Sequence, residues 1–291
     1  MSAPAPSNSL SNPPSTSTDS SLRIVIAGAG PAAQALVGQL ARAQFAGSIT
    51  VLSNRDDAPS DLLELAALPR VSMRFGQPAS FIDAVNRRVT TADGMEFSYD
   101  QLVIATGSAP AGSPVDGASC CLSYSTIDDA AKIGEAVKEA TRVLGRRPLG
   151  ILVGTGAAGQ AEAVLRARGV RPIRTTARPA AIVPTAGPVL SAAGILFEDG
   201  SRMNGDLVIL AEERIARDSL AASAGVKTAP NGGIVISRDF GTSVPGIWAI
   251  GDAAAFDGVR LGLLVAAGSA AGVCAAQLMT AARAVRLPLA A

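Results

Sequence analysis

Two short glycine-rich segments have the residue types and spacing of phosphate-binding turns. They are Gly28-Ala-Gly30-Pro-Ala-Ala33 and Gly154-Thr-Gly156-Ala-Ala-Gly159. In such a turn the first glycine permits a tight bend, and the second lets the backbone approach a pyrophosphate. A small residue at the last position lets the following helix pack closely on its strand, and the N–H groups at the start of that helix hold the phosphate. The expected ligating positions are Gly28, Gly30, Pro31, Ala32 and Ala33 in the first turn, and Gly154, Gly156 and Gly159 in the second.

Each turn lies between an apolar strand and a helix, which is the order of elements in a dinucleotide-binding unit. In the first copy we predict a strand at 22–27, a helix at 34–44 and a strand at 48–52. In the second copy we predict a strand at 150–153, a helix at 160–168 and a return strand at 170–175. Pro172 restricts that return strand to a bulge or a sheet edge. The chain is therefore predicted to be an α/β protein with two three-layer, Rossmann-like modules.

The second copy is the shorter one. In each copy an Asp-Gly hairpin turn precedes a further apolar strand, with Asp93-Gly94 before residues 99–104 and Asp199-Gly200 before residues 206–210. Gly28 to Gly94 is 66 residues, whereas Gly154 to Gly200 is 46. The segment of the second copy that is shortened contains three prolines and a glycine, which leave no room for a second crossover helix. They are Pro179, Pro184, Gly187 and Pro188.

Composition excludes most kinds of catalytic site. The chain has no histidine and three cysteines. It therefore has no imidazole base, no Ser-His-Asp or Cys-His nucleophile, no histidine-ligated zinc or haem and no four-thiolate iron–sulfur cluster. We expect no metal site, and a cofactor must supply any chemistry. A net charge of +1 and 3% aromatic residues also argue against nucleic-acid binding, which needs clustered cations and stacking rings.

The chain shows no targeting or membrane signal. Residues 1–21 lack both a basic residue and an apolar run, so a disordered tail is expected there and not a secretory signal. Residues 261–282 are uncharged and long enough to span a bilayer. Alanine and glycine dominate them, so a buried core helix is favoured over a membrane anchor. A cytoplasmic location is the expectation.

Two further segments resemble motifs of a known family. Residues 99–108, Tyr-Asp-Gln-Leu-Val-Ile-Ala-Thr-Gly-Ser, resemble the ATG segment of flavoproteins that have two dinucleotide-binding domains. Residues 241–252, Gly-Thr-Ser-Val-Pro-Gly-Ile-Trp-Ala-Ile-Gly-Asp, resemble their late Gly-Asp motif. Together with the two turns, these segments make residues 22 to about 282 similar to the FAD- and NAD(P)H-dependent pyridine nucleotide-disulfide oxidoreductases. The likeness is strongest to the flavin module of NAD(P)H nitrite reductase large subunits and to ferredoxin reductases.

This resemblance implies a discontinuous FAD-binding domain at 22–116 and 232–291. A truncated NAD(P)H-binding-like domain at 148–231 would be inserted in it. The resemblance also implies a role for each residue of the FAD site. Gly28, Gly30, Pro31, Ala32 and Ala33 would hold the pyrophosphate, Asn54 a ribose, Ala79 the adenine, Ala105, Thr106 and Gly107 the flavin side, Gly251 and Asp252 the ribityl chain, and Leu264, in a helix start at 262–265, the flavin pyrimidine.

Some positions that set nucleotide preference depart from the family pattern. Asn54 replaces a ribose-binding acid and offers only a neutral partner. Thr176 stands where an acid would select NADH. Arg174 and Arg178 flank it and slightly favour NADPH, although two exposed loop arginines explain them equally well.

Carboxylates and thiols further limit the functional expectation. Glu212 and Glu213 lie where relatives have a Gly-x-Arg-Pro turn, and they would repel a phosphate-bearing cofactor. Cys120 and Cys121 are not at the redox positions of disulfide reductases and are interpreted as two small strand residues. Cys274 is expected in the core.

Two hypotheses follow. The first is an FAD-dependent oxidoreductase that accepts hydride from NAD(P)H and passes electrons to a redox partner protein or a small acceptor. The second is a non-catalytic or degenerate FAD-binding adaptor that has lost nicotinamide binding. A single-cofactor NAD(P)-binding protein is disfavoured by the late Gly-Asp motif. The sequence does not indicate the acceptor or the oligomeric state.

Overall fold

The computed structural model describes residues 22–57, 59–112, 115–185, 189 and 192–286. The expected tail 1–21, and Gly187 and Pro188, lie outside the described residues. The helices are α1 Pro31–Arg42, α2 Ser60–Ala66, α3 Asp129–Leu144, α4 Ala158–Ala167, α5 Ser219–Ser223 and α6 Ala267–Arg286. The strands are β1 Arg23–Ala27, β2 Ser48–Leu52, β3 Val71–Arg74, β4 Ala79–Asp83, β5 Arg88–Thr91, β6 Glu96–Ser98, β7 Gln101–Ile104, β8 Ser108–Pro110, β9 Leu122–Ser123, β10 Gly150–Val153, β11 Ile173–Thr175, β12 Pro179–Pro184, β13 Ala193–Phe197, β14 Arg202–Gly205, β15 Leu207–Leu210, β16 Arg214–Ala216, β17 Ile234–Val235, β18 Ile247–Ala249, β19 Ala254–Phe256 and β20 Val259–Arg260.

Strands from the beginning and the end of the chain form one parallel sheet. Its order is β18-β7-β1-β2-β3, so the late strand β18 pairs directly with β7. The central strand β1 is an apolar, β-branched run, and Ile24 and Ile26 are fully buried, as expected for a parallel strand covered on both faces. Leu36 of α1 and Leu278 of α6 belong to the same core. The first module is therefore assembled from two stretches that are far apart in sequence.

The second module repeats this arrangement around a smaller parallel sheet of order β11-β10-β15-β9. Ile133 of α3 and Leu165 of α4 pack with Leu152 in one core cluster. Ile195 of the antiparallel sheet β12-β13-β14 packs with Ile151 in another. Alternate residues of β10 thus contact a helical layer and a second sheet, which gives the three layers that the sequence predicts.

The predicted truncation of the second module is confirmed. In the first module α2 connects β2 to β3, whereas only residues 176–178, all described, separate β11 from β12. β11 begins after Pro172 and forms an edge of its sheet, as the proline requires. Both Asp-Gly hairpins also form, between β5 and β6 and between β13 and β14.

Two helices begin earlier than the sequence predicts. α1 begins at Pro31, because proline is favourable in the first turn of a helix, where its missing N–H would have no partner. α4 begins at Ala158 instead of residue 160. In both cases the helix begins within the glycine-rich segment, so its N-terminus lies at the turn. In the described part of the chain, no helix has the length and apolar character needed to span a membrane.

Candidate functional site

The first glycine turn leaves a helix N-terminus accessible at the carboxyl edge of the first sheet. Gly28 has a φ of 113°, and a Cβ there would lie 2.3 Å from the carbonyl oxygen of Ala105, so only glycine fits. Gly30 is the N-cap of α1, with no side-chain cap and no atom within 4 Å of its missing Cβ. Ala33 is 1% exposed and packs against the core. Uncapped N–H groups at the positive end of a 12-residue helix favour an anion.

Four of the other expected FAD contacts follow the ends of β2 and β7 at the same edge of the sheet, and Ala79 lies in the separate sheet β4-β5-β6. Asn54 is exposed just after β2, and its neighbour Arg55 pairs with Asp57 at 2.7 Å in solvent, as expected for a surface arginine. Ala79 begins β4 and is half-buried. After β7 come Ala105, Thr106 and Gly107, which has a φ of 73° and open space at its missing Cβ.

Asp252 places a buried carboxylate beside the first turn. Gly251 precedes it, and a Cβ there would lie 2.8 Å from the Cβ of Ala32, so the late motif contacts the start of α1. Asp252 Oδ2 accepts hydrogen bonds from Ser108 Oγ at 2.7 Å and from Arg260 Nη1 at 2.5 Å. Its second oxygen, Oδ1, is buried and has no hydrogen-bond partner. A buried carboxylate oxygen without a donor is costly, and a ribityl hydroxyl is a donor that could satisfy it.

These residues therefore fit FAD at the first turn. The turn offers uncapped N–H groups and open space to a pyrophosphate, and beside it lies the carboxylate of Asp252, whose buried Oδ1 has no hydrogen-bond partner. The early and late stretches meet there, since Ser108 and Asp252 are 144 residues apart and hydrogen-bonded.

The expected helix start at 262–265 is wrong. Residues Leu261–Leu263 form a 3-10 turn, and α6 begins at Ala267. The N–H of Leu264 donates to the carbonyl of Leu261 at 2.9 Å, and the N–H of Ala267 donates to Asp128 Oδ2 at 2.9 Å. A carboxylate from the segment before α3 therefore accepts a hydrogen bond from the first N–H of α6. Residues 262–265, which the resemblance places at a helix N-terminus, precede that helix.

The second glycine turn is closed where the first is open. Gly154 matches Gly28, since its missing Cβ would lie 2.4 Å from the Ala211 carbonyl oxygen. Gly156 differs from Gly30, because a Cβ there would lie 2.3 Å from the carbonyl oxygen of Glu212. The N–H of Gly156 also donates to Ala211 O at 3.0 Å. The chain's own backbone thus covers the position where a pyrophosphate would approach, although Gly159 remains open. In this arrangement the second turn leaves less room for a pyrophosphate at Gly156 than the first turn leaves at Gly30.

The positions expected to set nucleotide preference lie at the end of β11. Thr176 and Arg178 are both exposed. Arg174 Nη1 is 3.0 Å from Glu162 Oε2 on α4, so its charge is already partly balanced. The preference for NADPH stays a prediction that rests on Arg178 and on the missing acid.

The cysteine pair lies just before β9. The interpretation of Cys120 and Cys121 as strand residues is wrong: Cys120 ends the 3-10 helix Ala118–Cys120, and β9 begins only at Leu122. Burial raises the pKa of the Cys121 thiol to about 12, which keeps it protonated and unreactive. Cys274 is fully buried in α6, as predicted, and burial raises its pKa to about 12. The described residues contain no group of side chains that could hold a metal ion.

The sequence analysis missed three polar residues of the site, namely Ser108, Arg214 and Arg260. Arg214 Nε donates to Ser108 Oγ at 2.8 Å, and this hydroxyl donates in turn to Asp252. One signal could have indicated Arg260: it is the last charged residue before the uncharged stretch 261–282.

Comparison with known proteins identifies the family. The model of the pyridine nucleotide-disulphide oxidoreductase family matches residues 22–159 and 138–286. The chain belongs to this family. As a pyridine nucleotide-disulphide oxidoreductase, it is similar to the NADH nitrite reductase large subunit of Escherichia coli K12, with 27% identity over 67% of this chain and 26% of the relative. It is also similar to the assimilatory nitrate reductase electron transfer subunit of Bacillus subtilis 168, with 29% identity over 67% of this chain and 28% of the relative.

Solved structures show the same fold. Putidaredoxin reductase, in its covalent complex with putidaredoxin, superposes with a TM-score of 0.55 at 24% identity, over 89% of this chain and 75% of that one. The resemblance seen in the motifs and the two-module α/β fold are thus confirmed. This pyridine nucleotide-disulphide oxidoreductase spans about a quarter of the length of the two curated relatives.

Proposed function

We propose that the chain is an FAD-dependent oxidoreductase that accepts hydride from NAD(P)H and passes electrons to a protein or small-molecule acceptor. The observation that supports it most is the meeting of an open glycine turn with the buried carboxylate of Asp252, whose Oδ1 lacks a donor. Family membership supports FAD and NAD(P)H as the expected cofactors. A slight preference for NADPH and a cytoplasmic location are parts of this proposal.

In this proposal the chain's own residues bind and orient the cofactor. The start of α1 at Gly30, Pro31 and Ala32 holds the pyrophosphate, and Asn54 accepts a hydrogen bond from a ribose hydroxyl. Asp252 accepts one from the ribityl chain, while Ser108 and Arg260 fix the orientation of its carboxylate. Bound flavin supplies two-electron transfer with a nicotinamide, which needs alignment of the two rings but no protein acid or base. A site without histidine suits this chemistry.

The electron acceptor is proposed to be a redox partner protein. The relatives include an electron transfer subunit and a reductase captured in a covalent complex with putidaredoxin. A reducible small molecule is the other acceptor class that the proposal admits.

One experiment tests the proposal in two stages. The purified protein is first examined for flavin absorbance, and the cofactor released by heat is identified by mass spectrometry; FAD is expected. The flavin is then titrated anaerobically with NADH and with NADPH. Bleaching of its absorbance supports the proposal, and an unchanged spectrum at millimolar levels of both nucleotides refutes it.

A second candidate is a flavoprotein or adaptor that binds FAD but no nicotinamide cofactor. The covered Gly156 favours it, together with the carboxylates of Glu212 and Glu213. The same titration separates the candidates, since FAD without bleaching supports the adaptor. Equilibrium dialysis with radiolabelled NADH and NADPH would then show no binding.

A further inference from the structure

Two arginines lie mostly buried beside Asp252. Arg260 donates from Nη1 to Asp252 Oδ2 at 2.5 Å and from Nη2 to the carbonyl of Ser125 at 3.2 Å. Arg214 Nε lies 4.0 Å from the same oxygen and is linked to it through Ser108. Their side chains are 14% and 24% exposed. We name Arg214 and Arg260 the buried arginine pair.

No other ion-paired cation in the described part of the chain is comparably buried. Elsewhere the exposed fraction of the cationic side chain runs from 49% for Arg174 to 78% for Lys132. Withdrawing a guanidinium from water is costly unless a nearby anion compensates it. The burial of two guanidinium groups at one place therefore calls for a source of negative charge.

At ion-pair distance, the described residues supply one carboxylate for the two guanidinium groups. Asp252 is the one described carboxylate within 4.0 Å of either guanidinium group. The cluster thus contains two positive charges and one negative charge, and Asp252 holds it beside the start of α1. The excess positive charge is located where the proposed cofactor would lie.

We propose that the buried arginine pair stabilises the reduced flavin more than the oxidised flavin. This inference rests on the proposed FAD site. Reduced flavin gains negative charge near N1 and the C2 carbonyl, whereas the pyrophosphate charge is the same in both states. A unit charge at a distance on the order of 10 Å, with an effective dielectric constant of about 20, changes the equilibrium between oxidised and reduced flavin about tenfold. The pair raises the reduction potential of the flavin accordingly.

The test measures the midpoint potential of the bound flavin with a reference dye during slow anaerobic reduction, with no nicotinamide present. The variants are Arg214→Gln and Arg260→Gln, each beside its charge-retaining counterpart, Arg214→Lys or Arg260→Lys. Arg88→Gln removes a half-exposed arginine paired with Glu96 and serves as the control. Each Gln variant is expected to lower the potential by about 30 mV, which is tenfold for a two-electron couple. The Lys variants and the control are expected to keep the wild-type potential.

The outcomes separate this inference from the proposed function. Wild-type protein that neither contains FAD nor binds it after unfolding and refolding overturns both. Wild-type protein with FAD, and Gln variants with an unchanged potential, overturn only the inference. If the Gln variants fold with a wild-type circular dichroism spectrum but hold no FAD, the pair is needed for binding itself, and tuning of the potential is refuted. A fall in potential in the Lys variants as large as in the Gln variants also refutes it, because the charge would then be irrelevant.

Discussion

Gly262 is the position where the smallest change should disturb the candidate site most. A Cβ there would lie 2.0 Å from Asp252 Oδ1 and 3.0 Å from the Cγ2 of Thr126. An ordinary contact needs about 3.4 Å, so Gly262→Ala should displace the carboxylate by more than about 1 Å and break its 2.5 Å bond to Arg260. The displaced carboxylate would also lose the hydrogen bond that it is proposed to accept from the ribityl chain, and a hydrogen bond to a charged group contributes about 1.5–3 kcal/mol. We therefore expect FAD affinity to fall by roughly 10- to 150-fold.

The assay is quenching of FAD fluorescence during titration with apo-protein, with thermal unfolding measured in parallel. Gly268→Ala is the matched control, because it makes the same change in α6 where no atom lies within 4 Å of the missing Cβ. The control should bind FAD like the wild type and gain a few tenths to about 1 kcal/mol of stability. Equal FAD affinity in the Gly262→Ala and Gly268→Ala proteins would refute the role of the Asp252 carboxylate.

Three further outcomes are expected. Glu213→Gln should strengthen NAD(P)H binding severalfold, measured by calorimetry, because it removes a negative charge beside the second turn. Glu135→Gln, on an exposed part of α3, is the control. Equal NAD(P)H affinities in the Glu213→Gln and Glu135→Gln proteins would contradict the repulsion. Asp100→Asn should lower the free energy of unfolding by about 1 kcal/mol at pH 7, because it removes the partner of Arg23 from a partly exposed site. The Arg23 hydrogen bond holds the pKa of Asp100 below its usual value, so this stabilisation is complete above the unfolded-state pKa and is lost as pH falls through the folded-state pKa. Denaturant melts in which the difference between the two proteins does not shrink as the pH is lowered would refute it. Cys121 should resist alkylation by iodoacetamide at pH 8 in the native protein, because its thiol stays protonated; mass spectrometry showing rapid labelling would disprove this.

The sequence determined the features that depend on neighbours along the chain. Apolar, β-branched runs and glycine spacing predicted β1, β2, β10 and both turns within about a residue. The prolines around Pro179 predicted the missing crossover helix, since proline disrupts the interior of a helix whatever the tertiary context. The apolar surroundings of Cys274 predicted its burial. In each case the signal and the structure it specifies lie in the same segment.

Only the tertiary structure decided the features that arise between distant segments. The Asp252 cluster joins Ser108, Arg214 and Arg260, and no local pattern encodes contacts over separations of 106 or 144 residues. The start of α6 at Ala267 depends on Asp128, 139 residues away. Two similar glycine turns differ because Glu212 covers Gly156 while Gly30 stays open. A glycine permits close approach, but the path of the rest of the chain determines whether its own backbone or a ligand makes that approach.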